Sequence, residues 1–191
     1  VAHPSRDELL NSLKSMPASQ TRSTIVISDL ERNTSGQGHG ADESAGDGVT
    51  HFEIRHIALV GLEMLLAVLA QGAPSVVVAC GANNPPDIAR AVETQVRMAR
   101  ALLSGLGQPE GRCRFMLLPP EGIDAELARL RASEHGSRSN TQSKAQSGPS
   151  FLQDTWSDKR ALIRAAVHCL YDQSCGPVYG PGGTQGPSLP L

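Results

Sequence analysis

Residues 57–84 read IALVGLEMLLAVLAQGAPSVVVACGANN, and two hydrophobic periods meet inside them. Leu62, Leu65, Leu66 and Leu69 recur three and four residues apart, which predicts an amphipathic helix. Gly72 supplies the left-handed residue that stops it. Ser75–Cys80 follows at once, short, β-branched and apolar on both faces, the pattern of a parallel strand covered by helices on each side. Gly81-Ala82-Asn83 makes the turn out of that strand. Asn84 reads as a helix N-cap, Pro85 as the first helical residue and Asp87 as the acid favoured in a first turn.

The pattern extends in both directions. Ile88, Val92, Val96, Ala99, Leu103 and Leu106 mark one side of a long helix that Gly107 closes, with Glu93 and Arg97 spaced to pair on the solvent side. Arg114–Leu118 reads as a strand ended by Pro119-Pro120, and Ile123, Leu127 and Leu130 as a further helix. Upstream, Thr24–Ile27 is a short β-branched strand, Phe52–Ile57 alternates like a second one, and residues 5–16 form a short helix capped by Ser5. A last helix spans about Ser157 to Tyr171. Strands alternating with helices imply parallel strands joined by right-handed crossovers. The expected fold is a small three-layer α/β domain, Rossmann- or flavodoxin-like, over residues 20–132. Residues 1–19 form its helical lead-in. Glycine-rich 31–50 is a flexible loop, serine-rich 133–150 a linker, and 151–191 a helix with a Pro/Gly tail.

Composition narrows the function. The 191 residues carry a net charge of −2 and only 3% aromatic side chains, which argues against a nucleic-acid binder with its basic footprint and stacking rings. The longest apolar run, Ile57 to Ala70, is interrupted by Glu63 and falls short of the ~20 residues of a membrane span. No signal peptide is visible, and the expected setting is cytoplasmic. The chain opens on Val1, so a fragment or trimmed product is expected.

In α/β folds ligands bind beyond the carboxyl ends of the strands. The turn Cys80, Gly81, Asn83 and Asn84 is therefore the candidate anion- or ligand-binding site, with backbone N–H groups at the start of the following helix. An ordinary capped turn around a buried thiol is the alternative. Neither G-x-G-x-x-G nor G-x-x-x-x-G-K-[ST] occurs. His51 and Glu53 share a strand face while His56 points away, which reads as a solvated edge rather than a metal pair. Glu63 reads as an exposed position on an amphipathic helix, with a buried acid as the alternative. Cys80, Cys113, Cys169 and Cys175 form no C-x-x-C pair and read as buried or free thiols, not metal ligands. A Cys169–Cys175 disulfide is compatible with their spacing and is not expected in a reducing compartment.

The succession IRHIALVGLEMLLAVLAQGAPSVVVACG, a long helix, CRFMLLPPEG and a short helix resembles the delta (iron–sulfur) subunit of methyl-viologen-reducing hydrogenase. It is closer still to the copy of that domain inside large bacterial four-iron ferredoxin-type proteins. FLQDTWSDKRALIRAAVHCL, with Asp158-Lys159-Arg160 at its centre, resembles the segment that leads into their C-terminal ferredoxin module. The resemblance implies an electron-transfer component, a redox partner or flanking ferredoxin domain, and 4Fe-4S clusters outside this chain. The family's first C-x-x-C would fall at Ser28-Asp29-Leu30-Glu31 and a second position near Ala58–Gly61, where no cysteine stands. Cys80 alone lies near a family cysteine. A cluster needs four ligands, so no cofactor is expected in this chain, and catalysis by it alone is not expected. A flavodoxin-like small-molecule domain and a stand-alone interaction module are the competing readings.

Overall fold

The computed structural model describes Asn11 and residues 23–30, 48–137 and 158–175. The expected helix at 5–16 (apart from Asn11), most of the 31–50 loop, residues 138–150 of the linker and the tail after Cys175 lie outside the described residues.

Four strands, β1 (Thr24–Ser28), β2 (Val49–Glu53), β3 (Val76–Gly81) and β4 (Cys113–Leu118), form one sheet in the order β2-β1-β3-β4. All three pairings are parallel. The small parallel α/β fold expected from the alternation of elements is the fold observed.

Helix α1 (Leu62–Ala70) connects β2 to β3, and α2 (Pro86–Gly105) connects β3 to β4. Both move the chain the same way along the sheet, and right-handed crossovers of that kind lie on one face. Both indeed pack against Ile25, Ile27, Val76 and Val78 of that face. Helix α3 (Gly122–Ser137) covers the other face, where Ile123, Leu127 and Leu130 meet Val26, Val77 and Ala79. Val77 is central, but its side chain faces α3; its neighbours Val76 and Val78 face α1, because strand side chains alternate.

Helix α4 (Lys159–Cys175) lies along α1. Asp158 caps it, its Oδ1 accepting the Arg160 N–H at 2.9 Å. Leu162, Ala166, Cys169 and Leu170 join the same core as α1. With the sheet on one side and α4 on another, every residue of α1 from Glu63 to Ala70 is buried. Arg112 ties down its C-terminal end. The guanidinium donates to the carbonyls of Ala73 at 2.7 Å and Pro74 at 3.0 Å, where the helix dipole favours a cation. Gly72 (φ 107) and Gly107 (φ 71) take the left-handed conformations expected of them.

Several expectations need correction. Strand β2 begins at Val49, inside the supposed loop, because β-branched Val49 and Thr50 pair with Thr24 and Ile25. Helix α3 runs through Ser133 to Ser137 into the supposed linker, as nothing before Gly136 interrupts a helix there. Pro85, not Asn84, is the N-cap of α2. Arg97 donates to the Thr94 hydroxyl at 3.2 Å instead of pairing with Glu93.

Candidate functional site

The strand order reverses between β1 and β3: the chain leaves β1 toward one edge and β3 toward the other. The crevice beyond their carboxyl ends is the topological switch point, where ligands of doubly wound sheets bind. The turn of Cys80, Gly81, Asn83 and Asn84 lies there, as expected.

The donors of Gly81, Ala82 and Asn84 are already engaged, while Asn83 is exposed. Asp29, the first residue after β1, places its carboxylate across the crevice. Oδ1 accepts the Gly81 N–H at 3.0 Å, and Oδ2 accepts the Asn84 amide at 2.7 Å. The same amide nitrogen lies 2.9 Å from the Gly81 carbonyl and 3.5 Å from Cys80 Sγ. The Ala82 N–H donates to the Leu118 carbonyl at 2.7 Å and the Asn84 N–H to the Gly81 carbonyl. Helix α2 adds little, because Pro85 and Pro86 at its start have no N–H and the Ile88 N–H turns back to the Pro85 carbonyl. The turn is an anion cradle whose anion is the protein's own carboxylate. A Cβ on Gly81 would press on Leu30 Cδ2 at 2.8 Å, so a side chain there would require Leu30 to shift. Asp29 escaped the sequence reading as a site residue. Its available signal is an acid two residues after a β-branched run, at a strand's carboxyl end.

Cys80, Cys113 and Cys169 do not converge. Cys80 sits at the carboxyl end of β3, fully buried, its thiol pushed up by burial and by the Asp29 charge. Cys113 begins β4 opposite Val76, four residues from Cys80 along the strands, about 13 Å at the rise of a strand. Burial pushes its thiol up to about 12. Cys169 is a free thiol on α4 that donates to the Ala70 carbonyl at 3.3 Å, its pKa also raised by burial. An iron–sulfur cluster needs converging thiolates, and these three residues do not fit one. Among the described residues, no group of three His, Cys, Asp or Glu is placed to hold a metal ion.

His51 and Glu63 depart from the sequence reading. His51 is no solvated edge: it is buried, with Nε2 2.7 Å from the Ser28 hydroxyl. His56 stands apart, exposed and beyond the strand. Glu63 is buried rather than exposed, its Oε1 3.5 Å from Lys159 Nζ on α4. Its carboxylate folds back over Gly61, where a Cβ would overlap it. Lys159 is 96 positions away in sequence, so no local pattern announced the pair.

The fold and this edge define a parallel α/β domain whose switch point is closed by a side-chain clamp. No family model, curated protein or solved structure matches the chain. Among the described residues no helix is long and apolar enough to cross a membrane.

Proposed function

We propose that this chain is a cluster-free α/β module of a 4Fe-4S ferredoxin-like electron-transfer protein, acting in the cytoplasm. Its work is to position redox modules and partners rather than to carry electrons itself. The observation that carries the reading is the Lys159–Glu63 contact. It joins the two stretches on which the resemblance rests, the Val60–Ala73 helix region and the Asp158-Lys159-Arg160 segment. In the resembling proteins that second segment leads into the ferredoxin module. Here that segment opens α4, which packs along α1 and touches it at both ends, Lys159 at Glu63 and Cys169 at Ala70. Electron tunnelling depends on distance, and a segment held against the core suits a positioning role.

Two further features support it. The turn that a phosphate-binding domain would need is filled by Asp29, which counts against the flavodoxin-like reading. Cys80, Cys113 and Cys169 are free buried thiols, in keeping with a reducing compartment.

The test is the reading frame on either side of this sequence, followed by anaerobic reconstitution with iron and sulfide. The expected result is a C-x-x-C-x-x-C-x-x-x-C-P run downstream and no stoichiometric cluster on the 191 residues alone. A frame without such a run on either side overturns the proposal, as does a stable cluster on this chain.

A further inference from the structure

The two edges of the sheet differ. In β2 the residues from Val49 to Phe52 are buried. In β4, at the other edge, Arg114 to Met116 and Leu118 are half-buried and Leu117 is 56% exposed, the most exposed of the large apolar side chains among the described residues.

The ladder fixes which backbone groups face outward. The Ile25 N–H donates to the Ser75 carbonyl, so Ser75, Val77 and Ala79 turn toward β1, and Val76, Val78 and Cys80 toward β4. The Ala82 N–H donates to the Leu118 carbonyl, so Arg114, Met116 and Leu118 turn toward β3. Backbone groups of successive strand residues point in opposite directions. The N–H and C=O groups of Phe115 and Leu117 therefore point away from the sheet, and no described residue bonds them. The Cys113 N–H is taken by the Glu110 carbonyl. Arg114 is the one charged residue of β4, and no lysine, bulge or proline before Pro119 adds to it in blunting this edge.

We infer that a second copy of this chain adds to β4 edge to edge, antiparallel, about a two-fold axis at Met116, making one eight-stranded sheet. The edge complements itself in this one register. Phe115 then lies opposite the partner's Leu117, and each such pair exchanges two hydrogen bonds. Arg114 lies opposite the partner's Leu118, so the cations do not face each other. A slip of one residue sets outward groups against inward ones. A slip of two brings in either Cys113, whose N–H is engaged, or Pro119, which has none. The inference rests on strand geometry and is independent of the electron-transfer reading.

Sedimentation velocity on the full chain at tens of micromolar tests it. The expected species has twice the 20.1 kDa chain mass. Leu117→Pro removes an outward N–H and leaves the β3–β4 ladder whole, so it is expected to be a folded monomer with little change in melting. Leu117→Lys, which adds a charge at the edge, is expected to behave alike. Met116→Cys is expected to form a covalent dimer under mild oxidation, because residues facing each other at a non-hydrogen-bonded antiparallel site lie about 4.5 Å apart at Cα, within disulfide reach. A monomeric wild type overturns the inference. So does a dimer that survives both Leu117 variants, or one in which Met116→Cys fails to cross-link.

Discussion

Asp29 and Asn84, 55 residues apart in sequence, meet at 2.7 Å across the carboxyl edge of the sheet. The contact links the end of β1 to the turn after β3 where the sheet reverses direction. Removing the carboxylate strands the part-buried Gly81 N–H and takes one of the acceptors of the Asn84 amide, which keeps the Gly81 carbonyl. Leaving such a donor unpaired costs about 1–3 kcal/mol. Asp29→Ala is expected to lower stability by that amount in urea denaturation. A change of only a few tenths would show that water replaces the carboxylate and that the clamp holds nothing together.

Leu66 is fully buried on α1, while Arg97 stands on the solvent side of α2. Leu66→Ala removes buried methyl groups and leaves a cavity, at a cost of about 2–5 kcal/mol. Arg97→Ala is expected to change stability by well under ~1 kcal/mol. Denaturation midpoints in the reverse order would mean that the helix faces are misassigned.

Gly61 has ordinary extended backbone angles; it is the N-cap of α1, where glycine is favoured over alanine, and the space above it is a second argument for glycine. The Glu63 carboxylate occupies that space. Gly61→Ala is expected to cost about 1–3 kcal/mol, as overpacking does. Most of that cost should vanish in a Glu63→Ala background. A double-mutant cycle measures the coupling, and simple additivity would place the origin of the cost elsewhere.

Cys113 keeps its proton to about 12 in the folded chain, against 9.0 for an ordinary thiol. From pH 9 upward the unfolded chain loses this proton while the folded chain retains it. Stability then falls as pH rises, since the unfolded state binds fewer protons. The contribution is intact below pH 9 and is lost progressively up to about 12. Cys113→Ala is expected to flatten that alkaline decline, with Cys80 and Cys169 supplying the remainder in the same direction. Native iodoacetamide labelling at pH 8 should leave Cys113 unmodified until denaturant is added. Rapid native labelling would contradict its burial.

Much of the fold could be read in one dimension. The leucines of α1 and the valines of β3 sit within about a dozen residues of each other, and their periods are local properties. The same holds for Gly72 and Gly107, whose left-handed backbone is a local demand. Boundaries proved harder where pairing extends a strand, as at Val49 and Thr50, whose partners lie on β1.

The sequence by itself determined that strands and helices alternate and that the turn at Cys80–Asn84 ends a buried strand. Each follows from spacing within a few residues. The second strand, expected over Phe52–Ile57, is Val49–Glu53 and is followed by a 3-10 turn at Ile57–Leu59. Tertiary structure alone decided that Asp29 fills that turn, that His51 is buried against Ser28, that Glu63 meets Lys159, and that β4 is the edge left open. Those relations join positions 23 to 96 residues apart. Polar side chains have no periodic signature, and whether one ends buried or exposed depends on which distant element the sheet order brings against it.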